Sequence, residues 1–217
     1  TIAGIAAGCT VVLGLAVAYA QRIENGWSTA TASRLATLGY AVPGSVIAMG
    51  ILLSVAAIDQ SIDSTLRWAF GISSGLILTG SLAALVFGHA VRFMAAAVNP
   101  LEASLAKRPK SFDEAARTLG EGQIGVLARV HLPLLGGALL TASLVVFVDV
   151  MKELPATLIL RPFNFDTLAV QAHRLASDER LAQAATPSLV LVAVGLIPVV
   201  ILSNRIRAGS RDRPSSR

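Results

Sequence analysis

The chain has 217 residues, of which 54% are hydrophobic and only 14% are charged, and its formal net charge is +5. Soluble domains contain about 25% charged residues, so this composition excludes an ordinary soluble domain and indicates a membrane protein. The basic residues stand between apolar runs or near the C-terminus, which is typical of cytoplasmic loops and argues against nucleic-acid binding. Cys9 is the single cysteine, so the sequence excludes a disulfide within the chain.

Five apolar runs approach the length of about 20 residues that a membrane-spanning helix needs. In chain order they lie at 2–20, 38–58, 68–91, 134–151 and 187–202. No long strand-like alternation accompanies them. The sequence therefore predicts an all-α membrane protein, a polytopic bundle of about five transmembrane helices that forms one domain over 1–217.

The distribution of lysine and arginine predicts the orientation, because basic residues near span ends stay in the cytoplasm. The loop at 99–133 carries Lys107, Arg108, Lys110, Arg117 and Arg129. The tail at 203–217 is also basic, and two predicted spans separate it from that loop, whereas the turn at 59–64 has no basic residue. We therefore predict a multi-pass membrane protein, with the loop and the C-terminus in the cytoplasm and the turn outside.

Residues 71–75 read GISSG, which matches the G-x-S-x-G pattern of serine nucleophiles. A serine nucleophile needs a base within hydrogen-bond reach. His89 lies further along the same predicted span, while His131 and His173 lie in loops predicted on opposite sides of the membrane. We therefore interpret the small residues as helix-packing positions, and an intramembrane hydrolase that uses Ser73 is one alternative.

Three ionisable residues mark the far end of the fourth predicted span: Asp149, Lys152 and Glu153. Their i, i+3 and i, i+4 spacing predicts that they share one helical face. Ionisable groups at membrane depth tend to face a bundle interior or an aqueous path. Two interpretations remain open: a local ion pair between Asp149 and Lys152 at the interface, or a lining of the translocation path. A secondary transporter that uses this pair as an ion relay is a second alternative.

The polar segment at 111–133 carries its own helix signals. Ser111 and Glu114 match a capping box, which predicts a helix start. Apolar positions then recur on one face, at Phe112, Ala115, Ala116 and Leu119. Gly120 is predicted to end this helix, and a second short helix with Ile124, Leu127 and Ala128 on one side leads to Leu132 and Pro133. The segment is either a docking surface for a partner or an amphipathic hairpin on the membrane.

The same segment carries a family resemblance. It reads Glu114-Ala115-Ala116, three residues, Gly120, nine residues, Val130, one residue, then Leu132-Pro133. This pattern resembles the signature of permease subunits of binding-protein-dependent ABC importers, which usually have isoleucine at the position of Val130. The resemblance covers nearly the whole chain and implies the type I importer permease fold, in which this loop docks on a separate ATPase. It also implies a location in the bacterial cytoplasmic (inner) membrane. It implies that Glu114, Ala115, Ala116 and Gly120 form the docking surface and its turn, and that Leu132 and Pro133 set the start of the fourth span.

The stretches at 40–52 and 151–192 resemble the ferric-iron branch of these permeases. That branch often carries two halves in one polypeptide, and the chain would correspond to the C-terminal half. The resemblance implies ferric iron as cargo, an extracytoplasmic binding protein that contacts 155–185, a dimeric ATPase, and a second permease half or copy. Permeases for thiamine, aminophosphonate, polyamine or an oxyanion share the architecture and remain alternatives.

No metal or nucleotide signature is visible in the sequence. We therefore expect a permease that is not an enzyme and binds no cofactor of its own, with ATP and magnesium held by the separate ATPase. Hard-cation sites use several oxygen ligands, so Asp149 and Glu153 beside Lys152 are not expected to form a stable iron site.

Overall fold

A computed structural model describes the backbone at residues 1–24 and 26–211 and the side chains at residues 1–24 and 26–204. Every regular element in these ranges is helical. The first four helices are α1 (Ile2–Ile23), α2 (Trp27–Thr37), α3 (Gly44–Phe70) and α4 (Leu82–Ala106). Next come α5 (Ser111–Thr118), α6 (Gln123–Val126), a π-helical turn (Leu127–His131), α7 (Leu132–Leu134) and α8 (Gly136–Lys152). The chain then forms α9 (Pro155–Leu160), α10 (Leu168–Ser177) and α11 (Leu181–Arg211).

Four helices are long and apolar enough to cross a membrane: α1, α3, α4 and the Leu181–Asn204 part of α11. A fifth crossing results if Gln123–Leu134 and Gly136–Lys152 are counted together, with a bend of 79° between them. These helices confirm the predicted all-α polytopic bundle.

The core of the bundle lies where α1, α4 and α8 meet. Ala6, Ala97 and Val146, one from each helix, are fully buried there. A Cβ atom placed on Gly14 of α1 would lie 2.8 Å from the Cβ of Ala97 in α4. Small residues therefore bring the helix backbones close together, which is how helices associate in lipid.

The third predicted span, at 68–91, is wrong. α3 continues to Phe70 and ends at Gly71, whose φ is +69°, so the predicted turn at 59–64 is helical. Residues 71–81 form a loop without helix, and α4 begins at Leu82. Ser81 caps this helix, because its side chain accepts a hydrogen bond from the Ala84 N–H at 3.1 Å. The GISSG stretch consequently lies in a loop and is not a helix-packing face.

Two carboxylates of α3 explain why this apolar loop is not helical. Asp59, which is fully buried, accepts the backbone N–H groups of residues 77–79 at 2.7–3.2 Å. Asp63 accepts the N–H groups of Ser74 and Gly75 at 2.8 and 3.1 Å. Because charged acceptors satisfy these backbone donors, the loop does not need helical hydrogen bonds. Hydropathy alone does not detect this arrangement.

The second predicted span also starts late. Leu38–Tyr40 form a short 3₁₀ turn, and α3 begins at Gly44 directly after Pro43. Proline disfavours a helical conformation in the residue before it, so it begins a helix here. The first and fourth predicted spans match α1 and α8, and α11 extends beyond the fifth span at both ends, from Leu181 to Arg211. The arginines of the predicted basic tail, from Arg205 onward, lie outside the described side chains.

Candidate functional site

The centre of the predicted docking loop is the helix α5. The first part of the predicted loop, up to Ala106, belongs to α4. Lys110 already has helical φ and ψ values, and its carbonyl accepts the N–H groups of Asp113 and Glu114. Ser111 is therefore inside the helix and makes no capping bond, so the predicted capping box is wrong. Asp113 and Glu114 still stand in the first turn, where carboxylates suit the helix dipole.

The turn at Gly120 has the predicted form. Gly120 has φ +87°, and its N–H donates to the Arg117 carbonyl at 3.0 Å. The Glu121 N–H donates to the Ala116 carbonyl at 3.1 Å, which completes a Schellman ending. A residue with a Cβ is strained in this conformation, so the reversal after α5 depends on glycine.

The predicted apolar face of α5 is divided between the protein and the solvent. Ala116 is buried, whereas Glu114 and Ala115 are exposed, and Leu119 is 85% exposed. At the end of the loop Val130 is half-buried, and Leu132 and Pro133 are exposed. The helix thus presents an outward surface that includes the small side chain of Ala115, while its opposite side rests on the bundle.

Asp113 connects that inner side of α5 to the bundle. Its Oδ2 accepts a hydrogen bond from Arg22 Nε at 2.8 Å, and its Oδ1 lies 2.5 Å from His131 Nε2. Arg22 is at the end of α1, and His131 directly precedes Leu132. The side chains of Arg22 and His131 are buried, with exposed fractions of 7% and 0%.

Arg22 also holds the backbone of the segment that enters α5. Its guanidinium donates to the Leu105 carbonyl at 2.6 Å, to Arg108 at 3.3 Å and to Pro109 at 3.2 Å. One turn earlier in α1, Tyr19 donates its hydroxyl to the Gln123 carbonyl at 2.7 Å. The end of α1 therefore contacts the segments on both sides of the Gly120 turn.

Sequence reasoning missed these contacts. Arg22 stands 91 residues before Asp113 in the chain, and no local periodicity links positions so far apart. The available signal was weak: Tyr19 and Arg22 share one face of α1 at i, i+3 spacing, at the end where the apolar run stops.

At the other end of the bundle, Asp149 and Lys152 form a local ion pair, which is one of the two arrangements considered from the sequence. Their Oδ1 and Nζ atoms are 2.8 Å apart, and the side chains are 8% and 69% exposed. Asp149 Oδ2 is buried and finds no hydrogen-bond partner among the described side chains and backbone. One carboxylate oxygen is thus satisfied while the other faces the interior.

Glu153 does not share the helical face of Asp149, which corrects the prediction. α8 ends at Lys152, Glu153 has extended backbone angles, and a new helix, α9, begins at Pro155. Its Oε2 accepts from Arg92 Nε of α4 at 3.0 Å, and its Oε1 accepts from the Ala156 N–H at 3.2 Å. Sequence reasoning did not single out Arg92.

Arg92 and Glu153 also fix the start of α3. Arg92 donates to the Val42 carbonyl at 2.7 Å, and a Cβ on Gly44 would lie 2.5 Å from Glu153 Oε1. Nearby, buried His89 lies 3.2 Å from the Thr157 hydroxyl, between Nε2 and Oγ1. This buried polar cluster joins α3, α4 and the junction of α8 with α9.

Ser73 has neighbours that do not suit a nucleophile. Its hydroxyl donates to Asp63 at 2.8 Å and accepts from Arg67 at 2.9 Å. Among the hydrogen bonds between described residues, none joins Ser73 to a histidine. The serine helps to hold the loop at 71–81, and the Asp63 carboxylate that accepts its hydrogen bond is itself engaged by Arg67.

Comparison with known proteins gives a family match over most of the chain. The profile of the family described as "binding-protein-dependent transport system inner membrane component" matches residues 10–211. A curated relative is the "Fe(3+)-transport system permease protein FbpB 2" of Haemophilus influenzae, 27% identical over 201 residues. The match covers 93% of this chain and 37% of that protein.

A second relative is the "Ferric transport system permease protein FbpB" of Actinobacillus pleuropneumoniae, 28% identical over 158 residues. The match covers 73% of this chain and 21% of the relative. The chain therefore spans well under half the length of these curated relatives.

Solved structures have the same fold at low sequence identity. A bacterial alginate ABC transporter in complex with an alginate-bound periplasmic protein matches with a TM-score of 0.70 and 13% identity, over 96% of this chain and 75% of that one. A second structure, of a bacterial ABC transporter involved in the import of alginate, matches with a TM-score of 0.69 and 11% identity. That match covers 95% of this chain and 77% of the other. With the profile match and the apolar helices, these similarities lead to one conclusion: the chain belongs to the binding-protein-dependent transport system inner membrane components, multi-pass transport permeases of ABC importers and not enzymes.

Proposed function

We propose that the chain is the transmembrane permease component of an ATP-driven importer for ferric iron. An extracytoplasmic binding protein delivers the iron, and a separate ATPase dimer holds ATP and magnesium and drives the transport. The proposal is carried by one observation: the exposed helix α5 bears Glu114, Ala115 and Ala116 on a chain whose curated relatives are named ferric transport permeases.

Ferric iron as cargo is supported by the names of those relatives and by the chemistry of the α9 end. Hard cations prefer oxygen ligands, and Asp149 and Glu153 supply carboxylates there. Each is already paired, Asp149 with Lys152 and Glu153 with Arg92. Such an arrangement suits transient passage of a cation better than stable binding, and we propose these groups as part of the translocation path.

Coupling to the ATPase is supported by the exposure of α5. The side chain of Ala115 is small enough to let a partner surface approach the helix closely, and Glu114 adds a charge beside it. The Gly120 turn fixes the helix against the segment that contains Val130, Leu132 and Pro133. We propose that this surface docks on the ATPase and that its movement is passed to α8.

The remaining partners follow from the orientation proposed from the basic residues. The α5 end and the C-terminus face the cytoplasm, and residues 155–185 face the binding protein on the opposite side. The apolar residues of α3 and α11 are largely exposed in the isolated chain, so these helices are available to contact lipid and a second permease half or copy.

The proposal is tested by reconstituting the complete transporter in vesicles and measuring uptake of radiolabelled ferric iron with ATP inside or outside. We expect uptake that requires ATP on the α5 side and the binding protein on the other. Competition with unlabelled thiamine, aminophosphonate, polyamine or molybdate checks the cargo.

Three outcomes would contradict the proposal in different parts. Competition by one of the other compounds would replace iron as the cargo. Uptake without ATP would favour a secondary transporter. Failure of the Ala115→Cys variant to crosslink to the ATPase would favour a hairpin that lies on the membrane.

A further inference from the structure

We propose that Arg22, Asp113 and His131, named here the α5 link, transmit the movement of α5 to two different membrane helices at once. This inference rests on the proposed function, because it names the residues through which the docking helix acts. The three side chains belong to α1, to α5 and to the turn that leads into α8.

The first argument is that α5 has few other attachments. Of its eight residues, Ala116 is the buried one, and an alanine side chain makes only van der Waals contacts, which have no preferred direction. Asp113 lies one turn earlier on the same side and makes directional, charge-assisted hydrogen bonds. A force on the exposed face of α5 therefore reaches the bundle through Asp113.

The second argument is the way in which the carboxylate is shared. Asp113 Oδ2 is hydrogen-bonded to Arg22 of α1, whereas Asp113 Oδ1 is hydrogen-bonded to His131, in the segment before α8. α1 and α8 pack against each other and against α4 in the core, where Ala6, Ala97 and Val146 are buried. Movement of one carboxylate is thus applied to two packed helices together.

The third argument is the geometry of Arg22. Its Nε bonds to Asp113, and its two terminal nitrogens bond to three backbone carbonyls of the segment from Leu105 to Pro109. A planar guanidinium holds its donors in fixed directions, which a lysine ammonium does not. Because the Arg22 side chain is only 7% exposed, screening by salt has little effect on it.

The test compares two variants that preserve size or charge. Asp113→Asn keeps the shape but replaces one acceptor oxygen by a donor, and Arg22→Lys keeps the charge but loses the fork. The complete transporter is reconstituted with each variant, and three quantities are measured: crosslinking to the ATPase through an added Ala115→Cys substitution, the rate of ATP hydrolysis, and iron taken up per ATP.

We expect crosslinking and hydrolysis to stay within about twofold of wild type, while Asp113→Asn lowers uptake per ATP about tenfold. The double variant should be no worse than the worse single variant, because both remove the same link. Arg34→Lys is the matched control, since Arg34 is an exposed arginine of α2 outside the link, and it should keep the wild-type ratio.

A merely structural role would reduce crosslinking, hydrolysis and uptake in proportion to the amount of folded complex. That result, or an unchanged uptake per ATP in both variants, would overturn the inference while leaving the proposed function intact. If the wild-type complex itself gave no ATP-dependent uptake, the proposed function would fall and the inference with it.

Discussion

Two segments interrupt the long apolar helices of this chain, and carboxylates organise both of them in different ways. In the loop at 71–81, Asp59 and Asp63 accept hydrogen bonds from residues no more than 20 positions along the chain. In the α5 region, Asp113 bonds to Arg22, which lies 91 residues away. The first loop is fastened to its own helix, whereas α5 is fastened to remote helices. Strain in the first should stay local, and strain in the second should reach the whole bundle.

We expect the largest effect from Gly120→Val, which should reduce transport. A β-branched residue at φ +87° costs about 1–3 kcal/mol of backbone strain, so the reversal after α5 is lost. We expect uptake per ATP to fall up to about a hundredfold. Gly75→Val is the matched control in the other loop, because Gly75 also has positive φ, +64°, and it should leave uptake per ATP unchanged.

If both glycine variants reduced uptake per ATP equally, the distinction between local and remote fastening would be wrong. Gly122→Val gives a second control within the α5 region. Gly122 has φ −77°, and a Cβ there meets no atom within 4 Å. We expect it to transport normally.

The next effect concerns stability, from Asp59→Asn. The amide keeps the size of the fully buried side chain but brings two donors among the N–H groups of residues 77–79. Losing hydrogen bonds to a buried charge costs about 2 kcal/mol, which thermal unfolding in detergent would reveal as a lower melting temperature. Because the damage is local, the folded fraction should keep its uptake per ATP, and a tenfold loss would contradict this.

A third, smaller effect is expected from Glu153→Gln at the α9 end. The substitution removes a charge from the proposed path and from the pair with Arg92. We expect uptake of ferric iron to fall about tenfold, roughly 1.4 kcal/mol, with ATP hydrolysis retained. Glu24→Gln, which changes an exposed carboxylate at the end of α1, should have no effect. Equal uptake in both variants would remove Glu153 from the path.

The smallest effect should come from Tyr19→Phe. It removes the single hydrogen bond to the Gln123 carbonyl and leaves the ring in place, which costs about 1 kcal/mol. We expect uptake per ATP to fall about threefold, less than for Asp113→Asn, because the α5 link remains. A larger loss than that of Asp113→Asn would show that α6 is the main attachment.

The sequence predicts the helices better than it predicts where they stop. Apolar length places α1 and α8 closely, because nothing competes with the helix in those runs. Apolar length fails between 59 and 82, since buried Asp59 and half-buried Asp63 turn an apolar stretch into a loop through contacts that hydropathy does not measure.

In the candidate site, too, features with a local cause are predictable from the sequence and features set by distant contacts are not. The Gly120 turn is predictable because its cause is local, a backbone conformation that favours glycine. The exposure of Ala115 and the burial of Ala116 depend on which side of α5 rests on the bundle, and Arg22 and His131 decide that. Arg92 was missed for the same reason, because its partner Glu153 is 61 residues away.

The bend of 79° between Gln123–Leu134 and Gly136–Lys152 has a geometric consequence. The angle is close to a right angle, so a displacement of the first segment along its own axis carries α8 sideways and hardly at all lengthwise. A sideways shift changes the gap between α8 and its neighbours without drawing polar helix ends into the bilayer. In the proposed coupling, the bend would therefore convert a push on the first segment into a change of width between the spans.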